Sequence, residues 1–379
     1  MIALYVHALA ATGVVRNVRL LAADLSARGY SVQIVTALPG GEGVAGVPHH
    51  ALLRHALPSR PLEKIVAAWR LGTWLRRMRP DLLISAGNHG HSTAWAGSLG
   101  VAGLKRVYRI SNDIMRAMPG APASGAAAWT RRAAAAVVAR DAAHLVLVSP
   151  TLIETPAFAR AASEGRVTVI PNGIDAAAAR ARVAGPPPHP WLAPGGDPVV
   201  LAIGRLSPQK NFGTLLQAFA LLRARRPVRL IILGESRDRA RDRLRAQAEA
   251  LGMADDLAMP GVVTNVFPWL AHADAFVLPS WWEGSPNVLL EAMAVNVPCV
   301  ASRSAGNAAQ LLGEGRHGLL ADPADPQALA DALERQLDPA TAVRPGNRVE
   351  AFSQQRVSQA WAYLIGRLYG EEAASSAAQ

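Results

Sequence analysis

Short β-branched runs alternate with longer Ala-, Leu- and Arg-rich stretches along almost the whole chain, and they fall into two separate sets. Brief apolar runs separated by helix-length segments are what a parallel sheet with crossover helices requires. In the first set the runs predict strands at residues 2–7, 31–37, 82–86, 106–110, 145–149 and 167–170. In the second set they predict strands at 199–203, 229–233, 257–259, 275–278, 299–301 and 319–320. Two sets of six suit two doubly wound α/β domains better than one very wide sheet. A length of 379 residues agrees, being too long for one ordinary core.

Turn chemistry locates the break. Pro171-Asn172-Gly173 closes the first set, and a turn-rich stretch from Gly185-Pro186-Pro187-Pro188 to Gly195-Gly196-Asp197-Pro198 precedes the second. The expected organisation is an N-terminal domain over 1–172, a linker over 173–196 and a C-terminal domain over 197–354. A helix over 355–370 then packs back on the N-terminal domain, and 371–379 form a tail. The Ala-rich segment 121–143 reads as an amphipathic crossover helix, because Trp129, Val137 and Val138 recur among Arg131, Arg132 and Arg140.

Composition narrows the class. Half of the residues are apolar and 18% are charged, as in a soluble globular protein. No apolar run approaches the length of a spanning helix, and the opening segment MIALYVHALAATG lacks a basic lead, so it reads as a first strand. Cys299 is the only cysteine, which excludes an intrachain disulfide, suits a reducing compartment and reads as a small buried hydrophobe. No Cys/His spacing matches a structural zinc site. A cytoplasmic protein is expected. The net charge of +11 is uneven: residues 1–175 carry 19 Lys+Arg against 9 Asp+Glu, and the remainder 20 against 19. Arg70, Arg76, Arg77 and Arg79 cluster on one predicted helix and its end. Such a field attracts nucleic acid, anionic lipid or a phosphorylated substrate without choosing among them.

The sharpest segment is Ser280-Trp281-Trp282-Glu283-Gly284-Ser285-Pro286-Asn287-Val288-Leu289-Leu290-Glu291-Ala292-Met293-Ala294. It carries a buried strand into a short loop and then a helix. Ser285 is placed to cap that helix, with Pro286 at its first position, where a missing N–H costs nothing. The N–H groups of Asn287, Val288 and Leu289 then offer an anion site suited to a diphosphate. Glu283 stays on the loop. Glu291 lies further along, where a carboxylate can take paired hydroxyls such as those of a ribose. Val295-Asn296 ends the helix, with Asn296 able to adopt the left-handed conformation and Pro298 blocking continuation.

A second segment, Gly204-Arg205-Leu206-Ser207-Pro208-Gln209-Lys210-Asn211, follows the strand predicted at 199–203. Ligands of open α/β sheets bind at such C-terminal strand ends. Arg205 and Lys210 can clamp a diphosphate there and neutralise charge that develops as it leaves. Lysine occurs only at 64, 105 and 210, so its presence in this loop carries weight.

Together these segments resemble the retaining family 4 (group 1) glycosyltransferases, which have the two-domain GT-B fold, and the likeness covers nearly the whole chain. Glu283 and Glu291 stand as that family's glutamate pair with seven residues between, and Arg205 and Lys210 as its basic pair. Val169-Ile170-Pro171-Asn172-Gly173-Ile174-Asp175 resembles its segment entering the interdomain linker. Leu233-Gly234-Glu235 resembles a turn after the second C-domain strand, and Met259-Pro260-Gly261-Val262 the nucleobase-binding turn. The resemblance implies two Rossmann-like domains facing each other across a cleft that holds the active site. It implies that Glu291 binds ribose hydroxyls, Glu283 binds hydroxyls of the donor sugar, and backbone amides after Pro286 hold the phosphates, with Gly284, Ser285 and Pro286 also at the donor. A nucleotide sugar, UDP-linked by the family's commonest usage, and a glycan or polyprenyl-diphosphate-linked acceptor are the implied substrates. Bacterial cell-surface polysaccharide synthesis is the implied context. Apart from the resemblance, the excess of cations in the N-terminal half suits an anionic membrane surface on the cytoplasmic side as a further partner. No Asp-x-Asp follows a strand, so no cofactor and no metal are expected.

Departures from the family pattern are specific. Its N-terminal glycine pair is Thr12-Gly13 here, Asn296 stands where Gly is frequent, and Gln310 where Glu is, a change that bears on donor choice. The family's histidine after the fourth N-domain strand has no clear equivalent, since Arg109-Ile110-Ser111-Asn112 occupies that region. His89, from Gly87-Asn88-His89-Gly90-His91, and Asn112 are the candidates for contacts near the reacting carbon, while His91 reads as a loop histidine bonded to backbone. A nicotinamide enzyme would need a Gly-x-Gly-x-x-Gly run, which neither Gly13 nor Gly204 begins. A nucleic-acid-binding role would suit the charge but lacks a recognised motif. A sugar-nucleotide epimerase of the same fold is the nearest rival.

Overall fold

The computed structural model describes residues 1–10, 12–112, 114, 125–236 and 238–370. The expected tail at 371–379 and residues 121–124 of the Ala-rich segment lie outside them. The chain forms two compact units, Met1–Pro171 with the chain from Val357 onward, and Asn172–Arg356.

The first unit is built on a seven-stranded parallel sheet. Its strands are β1 (Ile2–Val6), β2 (Val32–Thr36), β3 (His49–Ala51), β4 (Leu82–Ala86), β5 (Lys105–Ile110), β6 (His144–Leu147) and β7 (Val167–Val169), in the order β3-β2-β1-β4-β5-β6-β7. Alternate residues of β1 feed two separate cores. Ala3 and Tyr5 pack with Leu71, Leu83 and Tyr108, whereas Ile2, Leu4 and Val6 pack with Leu21, Ile34 and Ile84. Helices on both faces explain why the strands read as continuous apolar runs. The six strands predicted for this half become seven because β3 escaped detection. His49-His50-Ala51 has no β-branched residue and little burial; its backbone pairing with Ile34, Val35 and Thr36 makes it an edge strand. Helix Gln354–Tyr369 places Trp361, Leu364 and Ile365 in the second of these cores.

The second unit has a six-stranded parallel sheet: β8 (Val199–Ile203), β9 (Arg229–Leu233), β10 (Leu257–Gly261), β11 (Ala275–Leu278), β12 (Cys299–Ser302) and β13 (Leu319–Ala321). Their order is β10-β9-β8-β11-β12-β13. The stretch read as the linker, 173–196, falls within this unit. Ile174 is buried in its core and donates to the Phe352 carbonyl, and Asp175 caps helix Ala176–Ala181 through the Ala178 N–H. Cys299 is fully buried at the start of β12, which pushes its thiol pKa up.

Each strand order reverses once. From β1 the chain moves to β2 and β3, then crosses to β4; from β8 it moves to β9 and β10, then crosses to β11. A crevice opens at the C-terminal ends of the two strands flanking such a reversal, and ligands of doubly wound sheets settle there.

Candidate functional site

In the second unit the switch point lies between β8 and β11, and the two sharpest sequence segments are the loops that leave those strands. Lys210 closes the short helix Pro208–Lys210, after which Asn211 takes a left-handed conformation (φ 55°). That turn aims Lys210 at the neighbouring loop, where Nζ donates to Glu283 Oε1 at 2.6 Å. Both side chains are mostly buried, at 14% and 11% exposure. Gln209 ties the same loops through backbone: its carbonyl accepts from the Trp281 N–H at 2.9 Å and its side-chain amide donates to the Trp282 carbonyl at 2.9 Å. Arg205 is exposed and has no carboxylate partner among the described residues.

The helix after Glu283 begins one residue later than the sequence suggests. It spans Asn287–Ala294, and Pro286 is its cap. Ser285 is no helix cap, because it is held from elsewhere: its Oγ accepts the Asn172 N–H at 3.1 Å, and its carbonyl accepts the Asn172 side chain at 2.6 Å. The Leu289 N–H is also not free, since it donates to the Pro286 carbonyl at 3.2 Å. The N–H groups of Asn287 and Val288 keep no acceptor among the described residues and remain available to an anion. Glu291 lies on the same helix and is half-buried. Asn296 adopts the expected left-handed conformation (φ 61°) after the helix end.

Glycines bring the strand ends together. A Cβ on Gly234 would stand 1.9 Å from the Gly204 carbonyl oxygen, and Gly234 has φ +149°. The Gly234 N–H donates to the Gly261 carbonyl at 2.8 Å, so the turns after β8, β9 and β10 form one connected edge. Gly261 has φ +100°, and Val262 beyond it is 73% exposed. On the other side Gly306 (φ +59°) packs so closely that a Cβ would lie 2.0 Å from the Gly284 carbonyl oxygen. Asn307 donates its N–H to that same carbonyl at 3.1 Å, while its buried side-chain amide has no partner among the described residues.

Gln209, Asn172, Gly306 and Asn307 were not singled out from sequence. Gln209 and Asn172 lay inside recognised segments without a role. Gly306 follows β12, and only the close approach to Gly284 reveals why it is glycine. Gln310 is exposed on helix Ala308–Leu311, its carbonyl accepting from Arg348 at 2.8 Å.

In the first unit the switch point lies between β1 and β4. Gly13 opens helix Gly13–Ala27, capped by the Thr12 side chain, which accepts the Val15 N–H at 3.4 Å. Gly87 (φ +86°) faces Val14, where a Cβ would meet Cγ1 at 2.9 Å, so the loop carrying His89 lies against the start of that helix. His89 is exposed in this loop. Asn88 joins it to the end of β5, donating to the Asn112 carbonyl at 2.9 Å and accepting the Ser111 N–H at 3.0 Å. His89 and Asn112 therefore share one sheet edge. His91 is not a loop residue: it begins helix His91–Ser98, is buried, and sets Nδ1 2.8 Å from Ser85 Oγ.

Comparison with known proteins identifies the family. Residues 11–178 match the family described as Glycosyltransferase Family 4, and residues 197–338 match that described as Glycosyl transferases group 1. The chain belongs to this glycosyltransferase family. A lipopolysaccharide core biosynthesis glycosyltransferase, LpsE of Rhizobium meliloti, is 33% identical over 45% of this chain and 51% of its own. A Campylobacter jejuni transferase named for N-acetylgalactosamine-N,N'-diacetylbacillosaminyl-diphospho-undecaprenol is 28% identical over 45% of this chain and 47% of its own. The chain thus matches about half the length of these relatives. The solved structure of Anabaena HepE in complex with UDP-glucose superposes with a TM-score of 0.75 at 20% identity, over 97% of this chain and 99% of that one. At that identity the likeness identifies the fold, GT-B, with two Rossmann-like parallel-sheet domains.

Proposed function

We propose that this glycosyltransferase moves a sugar, with retention of anomeric configuration and without a metal ion, from a UDP-linked donor to a glycan or polyprenyl-diphosphate-linked acceptor. The observation that carries the reading is the Lys210–Glu283 contact beside a helix start with two open N–H groups, all at the switch point of one sheet. An ammonium group has three donors, so Lys210 can hold Glu283 and still reach a phosphate oxygen. Arg205, exposed on the same loop, supplies a second cation. With the N–H groups of Asn287 and Val288 they form a preorganised positive surface for a departing nucleoside diphosphate. Glu283 is thereby held against Lys210 and directed to donor-sugar hydroxyls, and its charge is already matched by an ammonium instead of a cation site. Glu291 takes the ribose hydroxyls. The turns at Gly234 and at Gly261-Val262, joined by the Gly234 N–H to Gly261 carbonyl bond, are assigned to the nucleobase side of the donor, with Val262 exposed beside them. On the first unit, Gly13, His89 and Asn112 are assigned to the donor sugar or acceptor.

A UDP donor is supported by the ligand in the HepE structure, and a lipid-diphosphate acceptor by the name of the Campylobacter relative. A role in cell-surface polysaccharide synthesis, on the cytoplasmic side, belongs to the same proposal, and the lipopolysaccharide core biosynthesis named for the Rhizobium relative supports its context. The test incubates purified protein with a panel of nucleotide sugars, with and without acceptor, and follows nucleotide release and product anomeric configuration. Acceptor-dependent UDP release that survives EDTA is expected. Loss of activity in EDTA with rescue by manganese overturns the metal-free mechanism, and acceptor-independent sugar isomerisation makes the protein an epimerase.

A further inference from the structure

Arg241 is the second residue of helix Ala240–Ala250, which follows the turn after β9. Its backbone is fixed from that turn. The Arg241 N–H donates to Ser236 Oγ at 3.0 Å, and the neighbouring Glu235 carbonyl accepts the Leu206 N–H at 2.8 Å. The side chain reaches the end of β10, where Nη2 stands 3.1 Å from the place a Cβ on Gly261 would occupy. Gly261 is buried there, while Pro260 and Val262 on either side are exposed. Arg239, Arg243 and Arg245 of the same segment are exposed. Arg241 alone among these four is half-buried, and its Nε is closed to water with no hydrogen-bond partner among the described residues. A guanidinium carries five donors and no acceptor, so a fork with unmet donors favours an incoming acceptor.

Position along the sheet edge decides which part of a donor meets it. The open N–H groups of Asn287 and Val288, with Lys210 and Arg205, lie on the loops after β8 and β11. β10 stands two strands from β8 on the opposite side, about 10 Å away at the usual strand spacing. A nucleoside diphosphate with its phosphates between β8 and β11 therefore brings its base, and not its charge, toward β10. Val262, 73% exposed, offers an apolar surface on which a flat ring can rest. The acceptor that reaches Arg241 is then an atom of the base edge. Bases differ at that edge: uracil and guanine present a carbonyl oxygen where cytosine and adenine present an amino group.

We propose that Arg241 is a specificity-determining residue that selects the base of the donor. It donates to a carbonyl oxygen of uracil and disfavours the amino group that cytosine carries at the same ring position. The inference rests on the donor site proposed above and supplies a physical reason for a UDP-linked donor. A guanidinium cannot accept from an amino group, so that pairing leaves the donors of both partners unmet.

Free UDP and CDP are titrated calorimetrically into the full chain and into its variants. Wild type should prefer UDP by about tenfold or more, the scale of one hydrogen bond from a charged donor. Arg241→Gln, whose amide both donates and accepts, should bring the two affinities close together. Arg241→Lys, which only donates, should keep a preference for UDP. The ratio is taken within each variant, so a general loosening of the fold, which weakens both nucleotides alike, cancels. Arg205→Gln, a change on the phosphate side, should weaken both and leave the ratio unchanged. A wild-type ratio retained in Arg241→Gln overturns the assignment and leaves the donor site standing, as does a wild type that binds UDP and CDP equally. A wild type that binds neither nucleotide overturns both.

Discussion

Lys210 and Glu283, 73 residues apart in sequence, meet at 2.6 Å where the loops after β8 and β11 converge. The contact joins the two segments that sequence spacing had marked independently, and it gives the carboxylate a fixed position. Gln209 reinforces it from backbone, so the pair is preorganised before any substrate arrives.

Lys210→Ala should lower kcat by about two to three orders of magnitude, the scale for losing one preorganised electrostatic contact. Glu283→Gln should also reduce kcat more than nucleotide affinity. Because the residues touch, the double variant should fall well short of the summed single losses. Fully additive losses in a double-mutant cycle would mean that the two act separately.

Glu291→Gln should weaken UDP binding by about tenfold or more, since an amide replaces a charged acceptor of hydroxyl hydrogen bonds. Isothermal titration with free UDP reads this directly. Identical affinity in wild type and variant would remove Glu291 from the ribose.

Gly234→Ala and Gly306→Ala should each destabilise the second unit. Both glycines have positive φ, and a Cβ would lie 1.9 Å and 2.0 Å from the carbonyl oxygens of Gly204 and Gly284. Backbone must move in each case, at a cost of about 1–3 kcal/mol or more. A melting curve unchanged in either variant would show that the strand-end loops are not held as described.

Stability should decline on mild acidification. Burial pushes the His91 pKa from 6.5 down to about 3, and that of His144 down to about 4. The unfolded chain protonates these rings below about 6.5 while the folded chain keeps them neutral, so it binds more protons in that window. Their contribution is therefore complete above about pH 6.5 and is lost as pH falls toward 4 and 3. The melting temperature should drop across that range, less steeply in His91→Gln. An acid limb of the same slope in that variant would assign the loss to other groups.

Reading the sequence worked best where local chemistry repeats. β1 reads as a strand because every residue is apolar and both faces are covered, and the Asn296 turn follows from Asn tolerating a left-handed backbone. It worked least where a residue answers to a distant partner. Ser285 looks like a helix cap from its neighbours alone, yet Asn172, 113 residues away, claims its hydroxyl. β3 carries no strand signal of its own and exists because β2 offers it an edge.

The sequence alone determined two parallel α/β units and the segments bearing Arg205, Lys210, Glu283 and Glu291, because periodicity, turn residues and motif spacing are properties of neighbouring residues. Tertiary structure alone decided that Lys210 pairs with Glu283, that Gly306 must lie against Gly284, and that Leu62, Ile65 and Trp69 stay in water. An apolar residue in an amphipathic helix carries no local label saying which face the sheet will cover. Burial and pairing depend on what folds alongside, and that is set by packing across the whole unit.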